Sequence, residues 1–412
     1  MSSAPARRAR SEERLRQVPW RALQGICGAL EVPIAEVLEG APAERVLDRT
    51  LRGLRGLDRA RRGAIAEALF GVGLWRLRLA YHLGDDAAPP RSVLAALLRD
   101  LGGLEGSEAE DVAGLGRGAL PPPRRAPADL ATRFSLPPWL AATLRDEAGE
   151  EAEALADALD LPGPVTLRPN LLRVAPGELA RRLGAEGVPT RPGALVPTAL
   201  VVTAPHPNLL GTTAWREALF EVQDEGSQLA GAAIEARAGQ TVLDLCAGAG
   251  GKTLQLAAAV GPSGAVHASD PDGERLGRLR RRAERAGAAP IVRVDGPSPA
   301  PALRADGVLV DAPCSELGAL RRGPDQRFRI DPARFGALPP LQRALLRRGA
   351  GHVRPGGRLV YATCTIRRDE NEDVADAFER AHPAFGRALT VRTWPHRDGC
   401  DGFFVAAWTR RG

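Results

Sequence analysis

The chain has 412 residues, of which 44% are hydrophobic and 26% are charged, as in an ordinary globular protein. A chain of this length is too long for a single hydrophobic core, so two or three domains are expected. The formal net charge of +6 favours nucleic acid as a partner, although a chain rich in arginine can carry this charge without binding nucleic acid.

The cysteines exclude a disulfide-stabilised protein, because they are few, odd in number and widely spaced, at Cys27, Cys246, Cys314, Cys364 and Cys400. The sequence has no CxxC pair and no histidine cluster, so no metal site is expected. It also lacks a secretory signal and an apolar run of membrane-spanning length. We therefore expect a cytoplasmic protein without membrane contact.

The first quarter of the chain predicts a small bundle of helices, from Trp20 to about Leu104. Apolar residues recur there at spacings of three and four, first at Leu47, Leu51 and Leu54 and again at Ile65, Leu69 and Val72. The arginines among them either form a solvated face or contact RNA, and both readings stay open: Arg49, Arg52, Arg55, Arg59, Arg61 and Arg62.

A small mixed segment is predicted to follow the bundle. The stretch Leu101–Pro127 is rich in glycine, proline and alanine, which is typical of a linker. Beyond it we predict strands at Val165–Leu167 and Leu171–Val174 and a helix at Glu178–Leu183, with a βα pattern that continues to about Thr203.

From Phe220 onward strands and helices alternate. Strands are predicted at Thr241–Leu245, Ala265–Ser269, Ile291–Val294, Gly307–Val310 and Arg358–Ala362. Two further β-like runs, Leu389–Trp394 and Gly402–Thr409, predict a terminal hairpin. This order predicts an α/β fold, a doubly wound and mostly parallel sheet with one antiparallel strand.

The turn after the first of these strands is the best candidate for a binding site. It contains Gly248, Gly250 and Gly251 and leads into a predicted helix. Free N–H groups and a helix N-terminus at the carboxyl end of a sheet favour an anionic or carboxylate-bearing ligand. An ordinary strand-to-helix turn has the same spacing. The position of Lys252, the only lysine in the chain, directly after the glycines favours a site.

Other candidate residues follow the neighbouring strands. Asp270 either binds the hydroxyls of a ribose or caps the next helix. Asp311 and Cys314 follow one strand and Cys364 follows another. Each cysteine alone would more often be a small buried residue. Both at the same sheet edge, with an acid beside one, indicate thiolate chemistry.

An arginine-rich loop follows Cys314 and contains Arg321, Arg322, Arg327 and Arg329. These arginines predict either phosphate contacts or a solvated charged surface, and the sequence favours neither.

Six stretches in the C-terminal half carry motifs: FEVQDEGSQLAG (220–231), DLCAGAGGK (244–252), DAPCSELGALRRGPD (311–325), RPGGRLVYATCT (354–365), ENE (370–372) and DGFF (401–404). Together with Gln342 they resemble the RNA cytosine-5 methyltransferases, most closely the bacterial small-subunit ribosomal RNA enzymes of the Sun/Fmu group. The resemblance is specific over residues 216–412 and weaker before them, where SLPPWL (135–140) and LRPNLLRV (167–174) are similar to that family's RNA-binding segment.

The resemblance implies three domains. These are a helical NusB-like RNA-binding domain at residues 1–122, a pre-catalytic α+β RNA-binding segment at 123–215, and a Rossmann-like class I methyltransferase domain with a seven-stranded sheet at 216–412. It further implies a monomer that acts on RNA, most simply ribosomal RNA. A non-catalytic RNA-binding or ribosome-assembly factor with the same fold is the alternative from another functional class.

The resemblance also implies the roles of individual residues. Cys364 would be the nucleophile that adds to carbon 6 of the cytosine, Cys314 would assist product release, and Asp311 would supply or share a proton at the ring nitrogen. An exchange of roles between the two cysteines is the alternative. S-adenosylmethionine would bind Cys246, Ala247, Gly248, Ala249, Gly250, Gly251, Lys252, Asp270, Asp295 and Asp311, and no metal is implied.

The sequence departs from the family pattern at three positions. Ala249 stands where proline is usual, Glu316 stands where a small glycine-type residue is usual, and Phe328 stands where tryptophan is usual. The Glu316 carboxylate either repels an RNA phosphate or pairs with a nearby arginine.

Overall fold

The computed structural model describes residues 10–204 and 207–412. They form two compact units. The first consists of residues 10–162 together with the segment 320–332, and the second contains residues 163–319 and 333–412 apart from the undescribed positions. The loop after Cys314 therefore contributes a segment to the first unit.

The first unit is helical throughout its described residues, as predicted. Its α-helices are α1 Arg10–Leu15, α2 Glu31–Leu38, α3 Ala43–Gly53, α4 Arg59–Leu74, α5 Arg76–Leu83, α6 Pro90–Ala96, α7 Gly106–Ala113, α8 Leu130–Arg133, α9 Pro138–Ala148 and α10 Ala152–Asp160. Short 3₁₀ helices lie at Trp20–Leu23, Cys27–Leu30, Gly149–Glu151 and Pro324–Phe328, and a π-helical turn, Leu97–Leu101, continues α6.

The predicted apolar stripe of helix α4 lies at the centre of this unit, where Ile65, Leu69 and Val72 are fully buried. Helix α3 differs from the prediction. Its buried face consists of Ala43, Val46 and Thr50, whereas the predicted leucine stripe is only half-buried. The small residues allow a close approach to α4, and the leucines cover the border of the core.

The predicted linker is wrong over part of its length. Helix α7 lies inside it, and its residues Ala109, Val112 and Ala113 are buried. Glu110 accepts hydrogen bonds from the backbone N–H groups of Gly118 and Leu120, at 2.9 and 2.8 Å. The glycines and prolines in this stretch therefore shape an ordered turn.

The second unit begins with a small antiparallel sheet of order β2-β3-β1-β4. Its elements are β1 Thr166–Pro169, α11 Pro176–Ala185, β2 Thr190–Pro192, β3 Leu200–Val202, α12 Thr213–Arg216 and β4 Phe220–Val222. The strand predicted at 171–174 is wrong. The N–H groups of Arg173 and Val174 both donate to the Asn170 carbonyl and close a turn.

The large sheet of the second unit has seven strands, as the resemblance implied, in the order β10-β11-β9-β8-β5-β6-β7. The strands and helices are α13 Glu225–Ala232, β5 Thr241–Asp244, α14 Gly251–Val260, β6 Ala265–Ser269, α15 Gly273–Ala286, β7 Val292–Gly296, β8 Ala305–Asp311, α16 Leu338–His352, β9 Val353–Thr363, α17 Glu372–Ala381, β10 Phe385–Arg392, α18 Pro395–Asp398 and β11 Phe404–Arg410.

The five strands from β5 to β9 run parallel, whereas β11 is antiparallel to β9 and β10 is antiparallel to β11. Helices cover both faces. Side chains of α13, α14 and α15 pack on one face, and side chains of α16 and α17 pack on the other. Strand β5 lies between β6 and β8, so the chain order reverses there. A crevice outside the carboxyl ends of β5 and β8 is the binding position typical of such sheets.

None of the helices in the described ranges is both long enough and apolar enough to cross a membrane.

Candidate active site

A cleft of about 490 Å³ occupies this crevice in the second unit. Ten of the predicted site residues line it: Cys246, Ala247, Gly248, Ala249, Gly251, Lys252, Asp270, Asp311, Cys314 and Cys364. Two predicted residues, Gly250 and Asp295, do not. A larger groove of about 770 Å³ lies in the helical unit and contains none of the predicted residues.

The glycine turn has a conformation that requires glycine. Gly248 has φ +53° and Gly250 has φ +88°, values that side-chain-bearing residues rarely adopt. A Cβ atom at Gly250 would also collide with the side chain of Leu279. Helix α14 begins at Gly251. The strand, turn and helix therefore place a free helix N-terminus at the cleft, as predicted.

Two arginines hold this turn through its carbonyl groups. Arg282 donates to the carbonyl of Ala249 at 2.7 Å and pairs with Glu221 at 2.8 Å. Arg168 donates to the carbonyl of Gly251 and to the Gln223 side chain. Burial lowers the pKa of Arg168 to about 10, so its guanidinium remains charged at neutral pH. The turn is thus held by side chains outside the motif.

Asp270 is a ligand of the turn and does not cap a helix. One carboxylate oxygen accepts from the N–H of Gly248 at 2.9 Å, and the other accepts from the N–H of Asp272, also at 2.9 Å. The cap of α15 is Asp272, which accepts from the N–H groups of Glu274 and Arg275. Each carboxylate oxygen of Asp270 has a further lone pair, so it can still accept a hydrogen bond from a hydroxyl group of a ligand.

Asp295 lies on β7 beside the cleft. Its carboxylate is 2.9 Å from Nδ1 of His267 on the adjacent strand β6. The sequence analysis did not single out His267. The pairing of His267 with Asp295 could have been expected only from the register of β6 against β7, because alternate residues of a strand lie on the same face of a sheet.

Lys252 reaches across the cleft to an acid. Its Nζ atom donates to Asp311 Oδ2 at 2.7 Å and lies 5.4 Å from the centre of the Phe403 ring. Burial lowers the pKa of Lys252, but the adjacent Asp311 carboxylate outweighs burial, and the net pKa is raised.

The two predicted cysteines meet directly. The Sγ atoms of Cys314 and Cys364 are 3.5 Å apart, at the ends of β8 and β9. The hydrogen bond with Cys314 raises the pKa of Cys364 well above its ordinary value, and burial and the charges of Glu316 and Asp311 raise it further. Cys364 is therefore a neutral thiol in the resting cleft.

Cys246 is a different kind of thiol. Burial raises its pKa, and the carboxylates of Asp244 and Asp311 add to this effect. Asp244 lies below the turn and accepts from the Thr253 hydroxyl at 2.7 Å. Burial raises the pKa of Asp244 to about 7. Cys246 thus lines the cleft as a neutral thiol.

The sequence analysis missed several residues of the cleft. Leu341, Leu345 and Arg348 present one face of α16 to it, and Gln223, Ser227 and Phe403 complete its border. Spacings of four and three along α16 could have placed the first three residues on one face, but nothing in the sequence shows which neighbour that face meets.

One residue of the arginine-rich loop has neither of the two predicted roles, phosphate contact or a place on a solvated surface. Arg327 is fully buried in the helical unit, 2.7 Å from the buried carboxylate of Asp160. Arg329 pairs with Asp325 at 2.6 Å. Phe328, at the position of the usual tryptophan, lies 3.6 Å from the Arg76 guanidinium. These residues stabilise the helical unit.

In the described part of the chain, no group of three or more histidine, cysteine, aspartate or glutamate residues could hold a metal ion.

The chain matches two protein-family models. The model described as "16S rRNA methyltransferase RsmB/F" matches residues 232–409. The model described as "Methyltr_RsmF/B-like, ferredoxin-like domain" matches residues 136–208, which include most of the small antiparallel sheet.

Curated relatives cover a longer stretch. The Bacillus subtilis protein named "Probable ribosomal RNA small subunit methyltransferase B" is 32% identical over 307 residues, which is 69% of this chain and 68% of that protein. The Xylella fastidiosa "Ribosomal RNA small subunit methyltransferase B" is 34% identical over 66% of this chain and 67% of its own length.

Solved structures share the fold. The crystal structure of PH0851 has a TM-score of 0.75 and 24% identity, over 95% of this chain and 99% of that chain. The structure titled "NSun6 from Pyrococcus horikoshii with SFG" has a TM-score of 0.60 and 20% identity, over 67% of this chain and 98% of that chain.

Proposed function

Because the chain belongs to the RsmB/F family of 16S rRNA methyltransferases, we propose that it transfers a methyl group from S-adenosylmethionine to carbon 5 of a cytosine in small-subunit ribosomal RNA. Methyl transfer to ribosomal RNA follows from the family. The choice of carbon 5 and of a covalent route rests on one observation, the 3.5 Å separation of two thiols in the cleft of the glycine turn.

The residues of the cleft fit this cofactor. S-adenosylmethionine supplies an electrophilic methyl group on a positively charged sulfur. The glycine turn from Cys246 to Lys252 presents a helix N-terminus to an anionic group. Asp270, and Asp295 on the next strand, would accept hydrogen bonds from the nucleoside.

Cys364 supplies the nucleophile in this proposal. Its sulfur forms a bond to carbon 6 of the cytosine while the thiol proton passes to the Asp311 carboxylate. The electron pair of the 5,6 double bond moves towards carbon 5, and Asp311 supplies or shares a proton at the ring nitrogen. Lys252 holds the Asp311 carboxyl group in position at 2.7 Å. Carbon 5 becomes nucleophilic enough to accept a methyl group.

Cys314 acts in the release step. After methylation, carbon 5 must lose its proton so that the double bond can form again and the bond between carbon 6 and Cys364 can break. Cys314 lies close enough to Cys364 to act on the same cytosine ring. The target base must leave its stack to reach a cleft of this depth.

The test uses the full-length protein, labelled S-adenosylmethionine and total RNA from a methylation-deficient host. Wild type, Cys364→Ala and Cys314→Ala are compared by a sequencing method that reads 5-methylcytosine and by denaturing gels that show a protein–RNA adduct. We expect one new modified cytosine with wild type, no product or adduct with Cys364→Ala, and a lasting adduct with Cys314→Ala.

The opposite pattern for the two variants would assign the attack to Cys314. The absence of methyl transfer to free RNA and to assembling subunits, with cofactor binding intact, would favour the non-catalytic assembly factor. A monomeric, cytoplasmic enzyme of three domains, with boundaries after residues 122 and 215, stays a prediction.

A further inference from the structure

A buried acid behind the two thiols has no role in the chemistry described so far. Glu370 ends a 3₁₀ helix, Arg368–Glu370, that follows β9, and its side chain is fully buried. Burial raises the pKa of Glu370, while the hydrogen bonds that it accepts lower it. Such a group is costly to keep in a protein interior unless its partners are fixed.

The hydrogen-bond partners of the Glu370 carboxylate lie on the segment that carries Cys314 and on α16, and Arg367 pairs with its Oε1 atom at 3.3 Å. The N–H of Ser315 donates to Glu370 Oε2 at 3.0 Å, and the Ser315 hydroxyl donates to Oε1. Gln342 on α16 donates to Oε2 at 2.9 Å and also to the carbonyl of Pro313 at 3.0 Å. Glu370 and Gln342 thus hold the residues on both sides of Cys314.

The same network reaches the segment that carries Cys364. The hydroxyl groups of Ser315 and Thr365 are 2.7 Å apart, so the residues that follow the two cysteines are joined directly. Asn371, next to Glu370, donates to the carbonyl of Thr365 at 3.0 Å and accepts from the Thr363 hydroxyl. The hydroxyl of Tyr361 donates to the Glu370 carbonyl and ties the acid to β9.

We propose that Glu370 is a positioning residue that fixes the separation of the Cys314 and Cys364 sulfurs, through Ser315 and Thr365, and so controls release of the methylated cytosine from the enzyme. The proposal rests on the proposed function. Attack needs only Cys364, whereas release needs both thiols at one base. A small increase in the sulfur–sulfur distance should therefore impair release more than attack.

The charged surroundings of Cys364 make its reactivity a measure of this separation. Cys314 and Asp311 face it from the end of β8, Glu316 from the loop beyond, and Lys252 from α14. Glu370 contacts the Cys314 segment through Ser315 and pairs with Arg367 in the segment that follows Cys364. If the segments separate, the hydrogen bond between the two thiols is lost and Cys364 alkylation shifts to lower pH.

The experiment compares full-length wild type, Glu370→Gln, Glu370→Ala and Glu225→Gln. Glu225 is a matched control, since it is a buried carboxylate of the same unit that accepts two backbone hydrogen bonds, from Leu195 and Val196. Melting temperature and cofactor affinity are measured for each protein, followed by single-turnover reactions in which adduct and released product are counted. Alkylation of Cys364 as a function of pH is followed by peptide mass.

We expect Glu370→Ala to raise the ratio of adduct to product roughly tenfold, as misplacement of a catalytic group does, with little change in cofactor affinity. Glu370→Gln keeps one acceptor oxygen and should recover part of this loss. The alkylation profile of Glu370→Ala should move to lower pH. Glu225→Gln should keep the wild-type ratio and profile at a comparable loss of melting temperature.

A uniform loss of adduct and product in Glu370→Ala, with an unchanged alkylation profile, would overturn the proposal and leave Glu370 a purely structural residue. A failure of the proposed function is distinguishable, because wild type itself would then form neither adduct nor 5-methylcytosine. The alkylation profiles still test the positioning role in that case, since they require no RNA.

Discussion

The sulfur atoms of Cys314 and Cys364 lie 3.5 Å apart although 50 residues separate them in the sequence. The contact exists because β8 and β9 are adjacent parallel strands, paired from Ala305 and Val353 to Asp311 and Ala362, so their carboxyl ends reach the same edge. The contact with Cys314 thereby raises the pKa of Cys364.

The first prediction concerns the reactivity of Cys364. Since the hydrogen bond with Cys314 is the main cause of its raised pKa, Cys314→Ala should lower that pKa. The thiolate is the reactive form, so the alkylation rate of Cys364 at pH 8 should rise in this variant. The measurement is the rate of iodoacetamide labelling of the Cys364 peptide between pH 7 and pH 10. Cys27→Ala, in the helical unit, is the control and should leave the rate unchanged.

The second prediction concerns Lys252. Lys252→Met leaves the Asp311 carboxylate without its partner at 2.7 Å and should reduce kcat on the order of a hundredfold, the usual effect of losing one electrostatic contact in a water-poor site. Lys252→Arg keeps the positive charge but replaces the compact ammonium group with a larger, planar guanidinium group, so it should retain only part of the activity. Steady-state kinetics on the target RNA provide the measurement. Equal activity of wild type and Lys252→Met would remove this ion pair from the mechanism.

The third prediction concerns the departure at Glu316. Its φ of +59° is a left-handed conformation that suits glycine, so Glu316→Gly should stabilise the protein by about 1 kcal/mol. Its negative charge also raises the pKa of Cys364, and removing it should increase Cys364 labelling at pH 8. Glu316→Gln separates the two effects, since it removes the charge and keeps the backbone strain. Thermal unfolding and thiol labelling measure them, and a destabilised glycine variant would contradict the assignment.

The fourth prediction concerns Asp244. Burial raises its pKa from 3.8 to about 7, so between these values the folded protein holds a proton that the unfolded chain releases. The free energy of unfolding should therefore fall as the pH rises through this window, by up to about 4 kcal/mol. Asp244→Asn should show less of this fall when urea unfolding is compared at pH 5 and pH 8. Thr253→Val removes the hydroxyl that stabilises the carboxylate and should widen the pH dependence.

The fifth prediction concerns the buried ion pair of the helical unit. Arg327→Met leaves the Asp160 carboxylate buried without its partner and should destabilise this unit by about 3–5 kcal/mol at pH 8. Burial already raises the pKa of Asp160 to about 6, so the acid can be protonated at pH 5, where the loss should be smaller. The double variant Arg327→Met, Asp160→Asn should recover stability at pH 8. Thermal unfolding that is equally impaired at both pH values would count against this account.

Much of the methyltransferase fold was predictable, because its strands are short apolar runs separated by glycine turns and helices. The predicted runs of β5, β6 and β8 differ from the observed strands by no more than two residues at either end. The run 171–174 misled the prediction, since its apolar residues look like a strand, whereas the buried Asn170 closes a turn with its backbone carbonyl and accepts from the N–H of Leu172 with its side-chain amide oxygen. A side-chain amide that organises the backbone leaves no trace in hydrophobic periodicity.

The site residues were predictable where a residue type is typical of a single structural or chemical role. The glycines after β5 predicted the turn, and the cysteines after β8 and β9 predicted the pair of thiols. The structure shows positive φ angles in the turn and brings the turn and the thiols to one cleft. The roles of the supporting residues were not predictable. Arg168, Arg282 and Glu370 act through partners that lie far from them in the sequence, so even the motifs that contain Arg168 and Glu370 do not show what these side chains hold. Their roles follow from the tertiary fold.

The sole lysine has a consequence for experiment. A protease specific for lysine has one bond to cut in the whole chain, between Lys252 and Thr253 in the first turn of α14. An amine-directed reagent likewise finds a single side chain, which is only 10% exposed and bonded to Asp311. Intact-mass spectra of protein cleaved after Lys252 therefore report the opening of the glycine turn alone, and a second modification beyond that of the N-terminal amine reports it as well.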